Sequence, residues 1–114
     1  MVGNKNMEFK EIQKKVIATS EDYGKECNLK VDADFALLKL YEEVGELTQS
    51  ILIQRKKCRP EKYLSDEESK KEIAKELADV AGTVMVISNL MDIDLEEAIN
   101  KKWITKEWIK SKNN

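Results

Sequence analysis

The sequence predicts an all-α fold of four helices. Its 114 residues include only 4 glycines and 1 proline, and no stretch shows the strict alternation of apolar and polar residues that indicates a half-buried strand. Apolar residues recur instead at intervals of three and four, which is the spacing of one helix face. A chain of this length forms a single domain. We place that domain at residues 7–110, between flexible ends at 1–6 and 111–114.

Composition narrows the class of protein. Charged residues make up 37% and apolar residues 41%, which is typical of a globular chain rather than a disordered one. The net charge of −2 weighs weakly against sequence-independent binding of nucleic acid, which usually shows a large basic excess. No apolar run reaches the roughly 20 residues that span a bilayer, and the N-terminal segment lacks the apolar core of a signal peptide. We therefore expect a cytoplasmic protein with no membrane partner.

Several kinds of site are excluded by residues that the chain lacks. It has no histidine, which rules out Zn–His sites, Ser-His-Asp catalysis and the Glu-x-x-His motif of di-iron bundles. Its two cysteines, Cys27 and Cys58, are too far apart in sequence to form a metal-binding pair. A structural disulfide is not expected in the cytosol.

The first two helices are predicted from apolar periodicity. Helix one covers residues 7–26, although Gly24 is a residue type that can end a helix earlier. Its apolar face consists of Phe9, Ile12, Val16 and Tyr23. Helix two begins at Asp32 or Asp34 and extends to about Lys56. Its apolar stripe consists of Leu40, Val44, Leu47 and Ile51.

Helix three is predicted from a break followed by a cap. Pro60 forbids a continuous helix, so the segment as far as Leu64 is predicted to be a loop. Ser65 followed three residues later by Glu68 is a capping box, which indicates the start of a helix that extends to about Met91. Its apolar residues alternate by four and three, as in the seam of a helical bundle: Ile73, Leu77, Val80, Val84, Ile87 and Met91.

Helix four is predicted to follow a second capping box. This box is formed by Asp94 and Glu97. The helix that follows is predicted to continue through one apolar face as far as Ile109. Its residues include Leu95, Ala98, Ile99, Lys102, Trp103 and Ile109.

Four acidic residues form two pairs inside these helices. Glu43 and Glu46 lie in helix two, and Glu76 and Asp79 lie in helix three. The i,i+3 spacing places both members of a pair on one helix face. Each pair lies in an apolar stretch, where an unpaired charge is costly. Four oxygen donors without sulfur or imidazole suit a hard cation such as Mg²⁺, so the pattern points to chemistry on phosphates.

Ordinary surface ion pairs are the alternative interpretation. The chain has 22 acidic residues, so acidic i,i+3 pairs also arise by chance, and most such pairs lie on solvated faces. Lys39 precedes Glu43 by four residues and Lys75 precedes Asp79 by four, so each lysine could neutralise its acid. Lysine before the acid is the weaker orientation, worth roughly a few tenths of a kcal/mol.

The two acidic pairs come face to face if helices two and three pack antiparallel. The residues through which we expect this packing are Val44, Leu47, Leu77 and Val80. Four converging carboxylates raise each other's pKa, and a divalent cation relieves that repulsion. Gly45, inside helix two, costs about 1 kcal/mol relative to alanine. This cost predicts a close approach there by another helix or by a substrate.

The acidic pairs and their flanks resemble the signature of the MazG-like all-α nucleoside triphosphate pyrophosphohydrolases, a group that also includes dimeric dUTPases and dCTP pyrophosphatases. The first half is Tyr-Glu-Glu-Val-Gly-Glu-Leu at 41–47, and the second is Lys-Glu-Leu-Ala-Asp-Val at 75–80. The resemblance covers residues 8–106. It implies a four-helix MazG-like bundle in each subunit, assembled as a dimer or a dimer of dimers.

The resemblance also implies an activity. Enzymes of this group cleave a nucleoside triphosphate between the α and β phosphates, giving the monophosphate and pyrophosphate, with Mg²⁺ or alternatively Mn²⁺. Carried over to this chain, the metal-binding and catalytic acids are Glu43, Glu46, Glu76 and Asp79. Glu42 is the extra acid of the motif, in a position to orient or deprotonate the attacking water.

Three further residues follow from the resemblance as substrate contacts. The last helix supplies a basic residue to the phosphates, and Lys102 occupies that position, although a lysine there could equally extend into solvent. One turn later, where the family often has asparagine, this chain has Lys106. Thr83, one turn after Asp79, is expected to line the pocket or to face the core.

Two other groups have both a functional and a structural interpretation. The basic cluster after helix two could contact the triphosphate, or it could be an ordinary cationic helix C-terminus. It consists of Arg55, Lys56, Lys57 and Arg59. Trp103 and Trp108 could stack on a base, or they could form core or dimer contacts.

The expected function is Mg²⁺-dependent hydrolysis of a nucleoside triphosphate by a homodimer or homotetramer that removes non-standard or surplus nucleotides. Two alternatives remain open. One is a non-catalytic helical dimerisation module whose acids only pair with lysines. The other is a regulator on the same fold that binds nucleotides without hydrolysing them.

Overall fold

The computed structural model describes residues 6–110 and is all-α within that range, as the sequence predicts. Residues 1–5 and 111–114, which include most of the predicted flexible ends, lie outside the described range. The elements in chain order are α1 (Phe9–Glu26), α2 (Ala33–Gln54), a 3₁₀ turn (Pro60–Lys62), α3 (Asp66–Leu90), α4 (Leu95–Ile99), a π-helical segment (Asn100–Ile104) and α5 (Glu107–Lys110). No helix among residues 6–110 is long and apolar enough to cross a membrane.

Side-chain caps start α3 and α4. The predicted capping box of α3 is confirmed: Ser65 Oγ accepts a hydrogen bond from the backbone N–H of Glu68 at 3.1 Å, and Glu68 Oε1 accepts one from the backbone N–H of Ser65 at 3.1 Å. The box predicted for α4 is only half formed. Asp94 Oδ1 accepts from the backbone N–H of Glu97 at 3.1 Å, but the carboxylate of Glu97 pairs with Lys101 at 2.7 Å.

The ends of α1 and α2 differ in detail from the prediction. Gly24 does not end α1 early; it is buried near the helix end, where the following chain folds back over it. A Cβ at this position would lie 2.9 Å from Cγ2 of Val31 and 3.0 Å from the carbonyl oxygen of Leu29, so only glycine fits. The last residue of α2 is Gln54. Lys56, the predicted end, instead adopts a left-handed φ of 57°.

The prediction of one continuous helix four is wrong. α4 ends after five residues and passes into the π-helical segment, where the backbone N–H of Thr105 donates to the carbonyl oxygen of Asn100 at 2.8 Å. Lys106 then adopts a φ of 59°, so α5 begins separately. Trp103 is 75% exposed. The apolar face of this segment therefore has no partner within the described chain that would hold the segment in one straight helix.

α3 is the central element, because it packs against both α2 and α1. The buried apolar residues among residues 6–110 are only Ala36 and Val86. A buried hydrogen bond from Gln13 Nε2 to Ser88 Oγ, 2.9 Å long, ties α1 to α3. Within a single copy the apolar core is therefore thin.

The seam between α2 and α3 is rotated relative to the prediction. Leu47 and Val80 are half-buried as expected, but Val44 is 44% exposed and Leu77 is 54% exposed. Successive residues of a helix point about 100° apart. Because Glu43 faces α3 and is buried, its neighbour Val44 turns outward.

This rotation leaves an exposed apolar face on α2 and α3. It consists of Leu37, Leu38, Tyr41, Val44, Leu52 and Leu77. Gly45 lies beside it, and a Cβ added there would have no heavy atom within 4 Å. The close approach predicted at Gly45 is therefore not made by any helix among the described residues of this chain.

Candidate metal centre

Four carboxylates converge between α2 and α3. Glu43 and Glu46 project from one turn of α2, and Glu76 and Asp79 project from one turn of α3. One oxygen from each residue lies within 4.8 Å of those of the other three. The i,i+3 spacing gives each helix one acidic face, and the antiparallel packing of the two helices turns those faces toward each other.

Burial and mutual repulsion both act on this cluster. The residue Glu43 is only 9% exposed, and burial together with the charges of Glu46 and Asp79 raises the pKa of its carboxyl. The pKa of Glu76 is raised by the same causes, burial first and then the charges of Glu46 and Asp79. Four negative charges at this separation are unfavourable without a cation.

Two oxygens of the cluster have no hydrogen-bond partner among the described residues. They are Oε2 of Glu43 and Oε2 of Glu76, and both are buried. Buried polar atoms in folded proteins nearly always have a partner. A divalent cation would satisfy both oxygens, and an all-oxygen donor set suits a hard ion such as Mg²⁺ or Mn²⁺. The residues present therefore fit a metal ion.

Surface ion pairs account for only part of the acidic cluster. Lys39 contacts Oε1 of Glu42 directly, and its Nζ lies 3.8 Å from Oε1 of Glu43. Lys75 pairs with Glu72 at 3.1 Å and not, as the alternative interpretation would require, with Asp79. Among the lysines of residues 6–110, Lys39 alone forms an ion pair with a member of the cluster. One lysine at that distance does not neutralise four carboxylates.

Glu42 lies outside the group of four whose oxygens converge. Its carboxylate is half exposed and held by Lys39 on the side of α2 next to the cluster. The structure thus brings together four of the five acids singled out from the sequence. The fifth is engaged by a lysine that the sequence pattern had paired with Glu43.

A cavity of about 490 Å³ borders the cluster on the side of α1. Glu43 and Asp79 form part of its wall, and Thr83 also lines it, with its hydroxyl donating to the carbonyl oxygen of Asp79 at 2.7 Å. The remaining wall is mainly apolar and includes Phe35. Sequence reasoning missed this cavity and the position of Lys39 at its edge. The signal was the spacing of residues 35, 39 and 43, which puts them on one face of α2.

The two lysines predicted as phosphate contacts lie away from the cluster of their own chain. α3 continues for eleven residues beyond Asp79, about 16 Å of helix, before the segment that carries Lys102 and Lys106 begins. That segment lies near the start of α1, where Lys10 Nζ is 2.6 Å from Oδ1 of Asp94. Neither lysine lines the cavity beside the cluster.

The other candidates are exposed and make local contacts. In the basic cluster after α2, Lys56 lies 5.7 Å from the ring centroid of Tyr63, and Arg59 pairs with Glu61 at 3.4 Å. Trp108 lies under Lys101, whose Nζ is 5.8 Å from the ring centroid. Neither tryptophan is buried in a core within the described chain.

Comparison with known families agrees with the geometry. The sequence profile of the MazG nucleotide pyrophosphohydrolase domain matches residues 34–107, which is more than half of the chain and includes all four converging carboxylates. No curated protein and no solved structure shows a significant match. The chain belongs to the MazG nucleotide pyrophosphohydrolase family.

Proposed function

We propose that this protein hydrolyses a nucleoside triphosphate, either an NTP or a dNTP, between its α and β phosphates. The products are the nucleoside monophosphate and pyrophosphate. The observation that supports this proposal best is the convergence of four carboxylates with two buried, unpartnered oxygens in a chain of this family. Removal of non-standard or surplus nucleotides in the cytoplasm is the expected physiological role.

The proposed metal ligands are the four converging acids, Glu43, Glu46, Glu76 and Asp79. When bound there, Mg²⁺ supplies neutralisation of phosphate charge and activation of a water molecule. The half-buried position of the cluster strengthens these electrostatic interactions, because the surrounding dielectric constant is lower than that of water. Glu42, next to the cluster, is the residue we assign to orient the attacking water and accept its proton.

Pyrophosphate release tests the reaction. A panel of canonical and modified NTPs and dNTPs is incubated with the protein in Mg²⁺, in Mn²⁺ and in EDTA. We expect metal-dependent pyrophosphate and an equal amount of monophosphate from at least one substrate. Nucleotide binding without pyrophosphate release would favour a regulator. No turnover, with no effect of Mg²⁺ on the melting temperature, would favour a dimerisation module.

Neutral substitutions test the four ligands. Glu46→Gln and Asp79→Asn preserve size and remove a charge, and we expect metal-dependent turnover to fall by at least a hundredfold in each. Glu67→Gln is the matched control, because Glu67 lies on α3 but is outside the cluster and lines neither groove beside it. Full turnover by either cluster variant, at the rate of the control, would remove that residue from the site.

A second copy of the chain is part of the proposal. The exposed apolar face and the open space at Gly45 are consistent with a homodimer or homotetramer in which α2 packs against another subunit. Because Lys102 and Lys106 lie far from the cluster of their own chain, any phosphate contact they make would be at the cluster of another copy.

A further inference from the structure

The cavity beside the metal centre has a single basic residue among the described side chains that line it. Lys39 lies at its edge, between Phe35 and Glu43. These three residues follow one another at intervals of four on α2 and therefore share one helix face. The surrounding wall carries apolar groups and hydroxyls but no second cation. A negatively charged ligand group entering this cavity therefore meets Lys39.

The order of groups along this face matches the order of groups in a nucleotide. Phe35 offers an aromatic ring, Lys39 an ammonium and Glu43 a carboxylate of the candidate metal centre. A nucleoside triphosphate presents a flat base, then the α-phosphate, then the phosphates that a metal ion accompanies. A volume of about 490 Å³ lies within the range of small-molecule sites, roughly 300–1,000 Å³, and is sufficient for a nucleoside.

We infer that Lys39 binds the α-phosphate of the substrate while the nucleoside occupies this cavity. The inference rests on the proposed function and adds the direction in which the substrate lies. The nucleoside is on the Glu43 and Asp79 side of the cluster. The β and γ phosphates extend toward Glu46 and Glu76, which border a second groove on the other side.

Binding in this orientation changes the partner of Lys39. In the structure its ammonium is engaged by Glu42 and lies 3.8 Å from Glu43. The side chains of Lys39 and Glu42 are 37% and 54% exposed, and ion pairs this open to water add little to stability. When the Lys39 ammonium moves from Glu42 to the α-phosphate, one anionic partner is replaced by another. This movement also leaves the carboxylate of Glu42 free to take the proton of the attacking water.

The first test separates a phosphate contact from a structural one. The probes are the monophosphate and the free nucleoside of the panel nucleotide that binds most tightly, titrated in EDTA by calorimetry. We expect Lys39→Gln to weaken monophosphate binding at least tenfold and to leave nucleoside binding unchanged, with Lys39→Arg recovering much of the loss. The matched control is Lys75→Gln, because Lys75 forms a similar i,i+3 pair with Glu72 and does not line the cavity.

The second test uses the competing anion. Glu42→Gln removes the carboxylate that holds Lys39, so we expect the monophosphate to bind more tightly while kcat falls at least tenfold. A residue that only maintained the shape of the cavity would not produce opposite effects on binding and turnover. Melting temperatures of all variants identify any that fail to fold, and Lys39→Arg keeps the test valid if Lys39→Gln is one of them.

The possible outcomes are distinct. Equal weakening of monophosphate and nucleoside by Lys39→Gln, or no weakening of either, would overturn the assignment of Lys39. Weaker monophosphate binding by Glu42→Gln would overturn the inference that Lys39 leaves Glu42 for the α-phosphate. Turnover by the wild-type protein is measured separately, so a failure of the proposed hydrolysis is not confused with a failure of this inference.

Discussion

At the scale of single residues, Glu43 combines burial with three acidic neighbours, and its pKa is raised by burial and by the charges of Glu46 and Asp79. A carboxyl whose pKa is higher in the folded than in the unfolded chain makes the folded protein less stable as the pH rises through the folded pKa. Glu43→Gln removes this ionisation at nearly constant volume. We expect the metal-free variant to melt at a higher temperature than the wild type at neutral pH. The difference should shrink as the pH falls below the usual pKa of glutamate.

Thermal unfolding in EDTA from mildly acidic to neutral pH measures this effect. In the same series, Mg²⁺ should raise the melting temperature of the wild type, because a ligand bound only by the folded state stabilises it. Glu43→Gln should lose most of that shift, while Glu67→Gln, outside the cluster and both grooves beside it, should keep it. A wild type that is no less stable than Glu43→Gln at neutral pH without metal would argue against electrostatic strain in the cluster.

At the scale of helices, the start of α3 depends on the capping box of Ser65 and Glu68. The backbone N–H and hydroxyl of Ser65 lower the pKa of Glu68. The contribution of this carboxylate to stability is therefore present above the usual pKa of glutamate and is lost as the pH falls through its folded value. Ser65→Ala removes the hydroxyl, which we expect to cost about 1 kcal/mol of unfolding free energy.

Urea unfolding at neutral pH measures the loss in Ser65→Ala. Ser65→Asp is the control, since it keeps a side-chain acceptor at the cap and should retain most of the stability. The carboxylates of the candidate metal centre begin more than two turns further along α3, so we expect neither variant to change the proposed metal-dependent turnover. An alanine variant as stable as the wild type would show that packing alone determines where α3 begins.

How well each element could be predicted depended on whether its signals were local. The cap at Ser65 and the break at Pro60 act within a few residues of sequence, and α3 begins where they indicate. Apolar spacing between Leu95 and Ile109 indicated one helix, yet that segment contains a π-helical turn and a residue with positive φ. Spacing identifies the face that a partner would bury. It does not fix the backbone where the described chain supplies no partner.

The candidate site also combines features that local sequence signals predict with features that they do not. The i,i+3 pairs were sufficient to predict that four carboxylates share two helix faces, and the structure brings them within 4.8 Å. The sequence could not show which side of α2 would face α3, because Val44 and Glu43 differ by one residue and about 100°. That rotation decides the position of Lys39 and forms the cavity. The roles of Lys39 and of the cavity, like those of Lys102 and Lys106, stay predictions.

At the scale of the whole molecule, a single copy leaves too much apolar surface exposed. Leu38 and Tyr41 are 68% and 70% exposed, while the buried apolar core among residues 6–110 is small. Contiguous apolar patches of this kind usually mark an interface. We therefore expect sedimentation velocity to show a dimer or tetramer at micromolar concentration. Leu38→Glu should shift the protein toward the monomer and lower its melting temperature.

Two comparisons make the oligomer prediction specific to this face. Leu29→Glu places the same charge on another exposed leucine, outside α2 and α3, and should leave the assembly intact.

Gly45→Leu distinguishes an isolated copy of the chain from an assembled one. In an isolated copy a Cβ at this position meets no atom within 4 Å, and leucine would raise helix stability by up to about 1 kcal/mol. In an assembly that covers this face, the same side chain prevents close packing and lowers the melting temperature. We expect the second result, and a more stable, monomeric Gly45→Leu variant would contradict it.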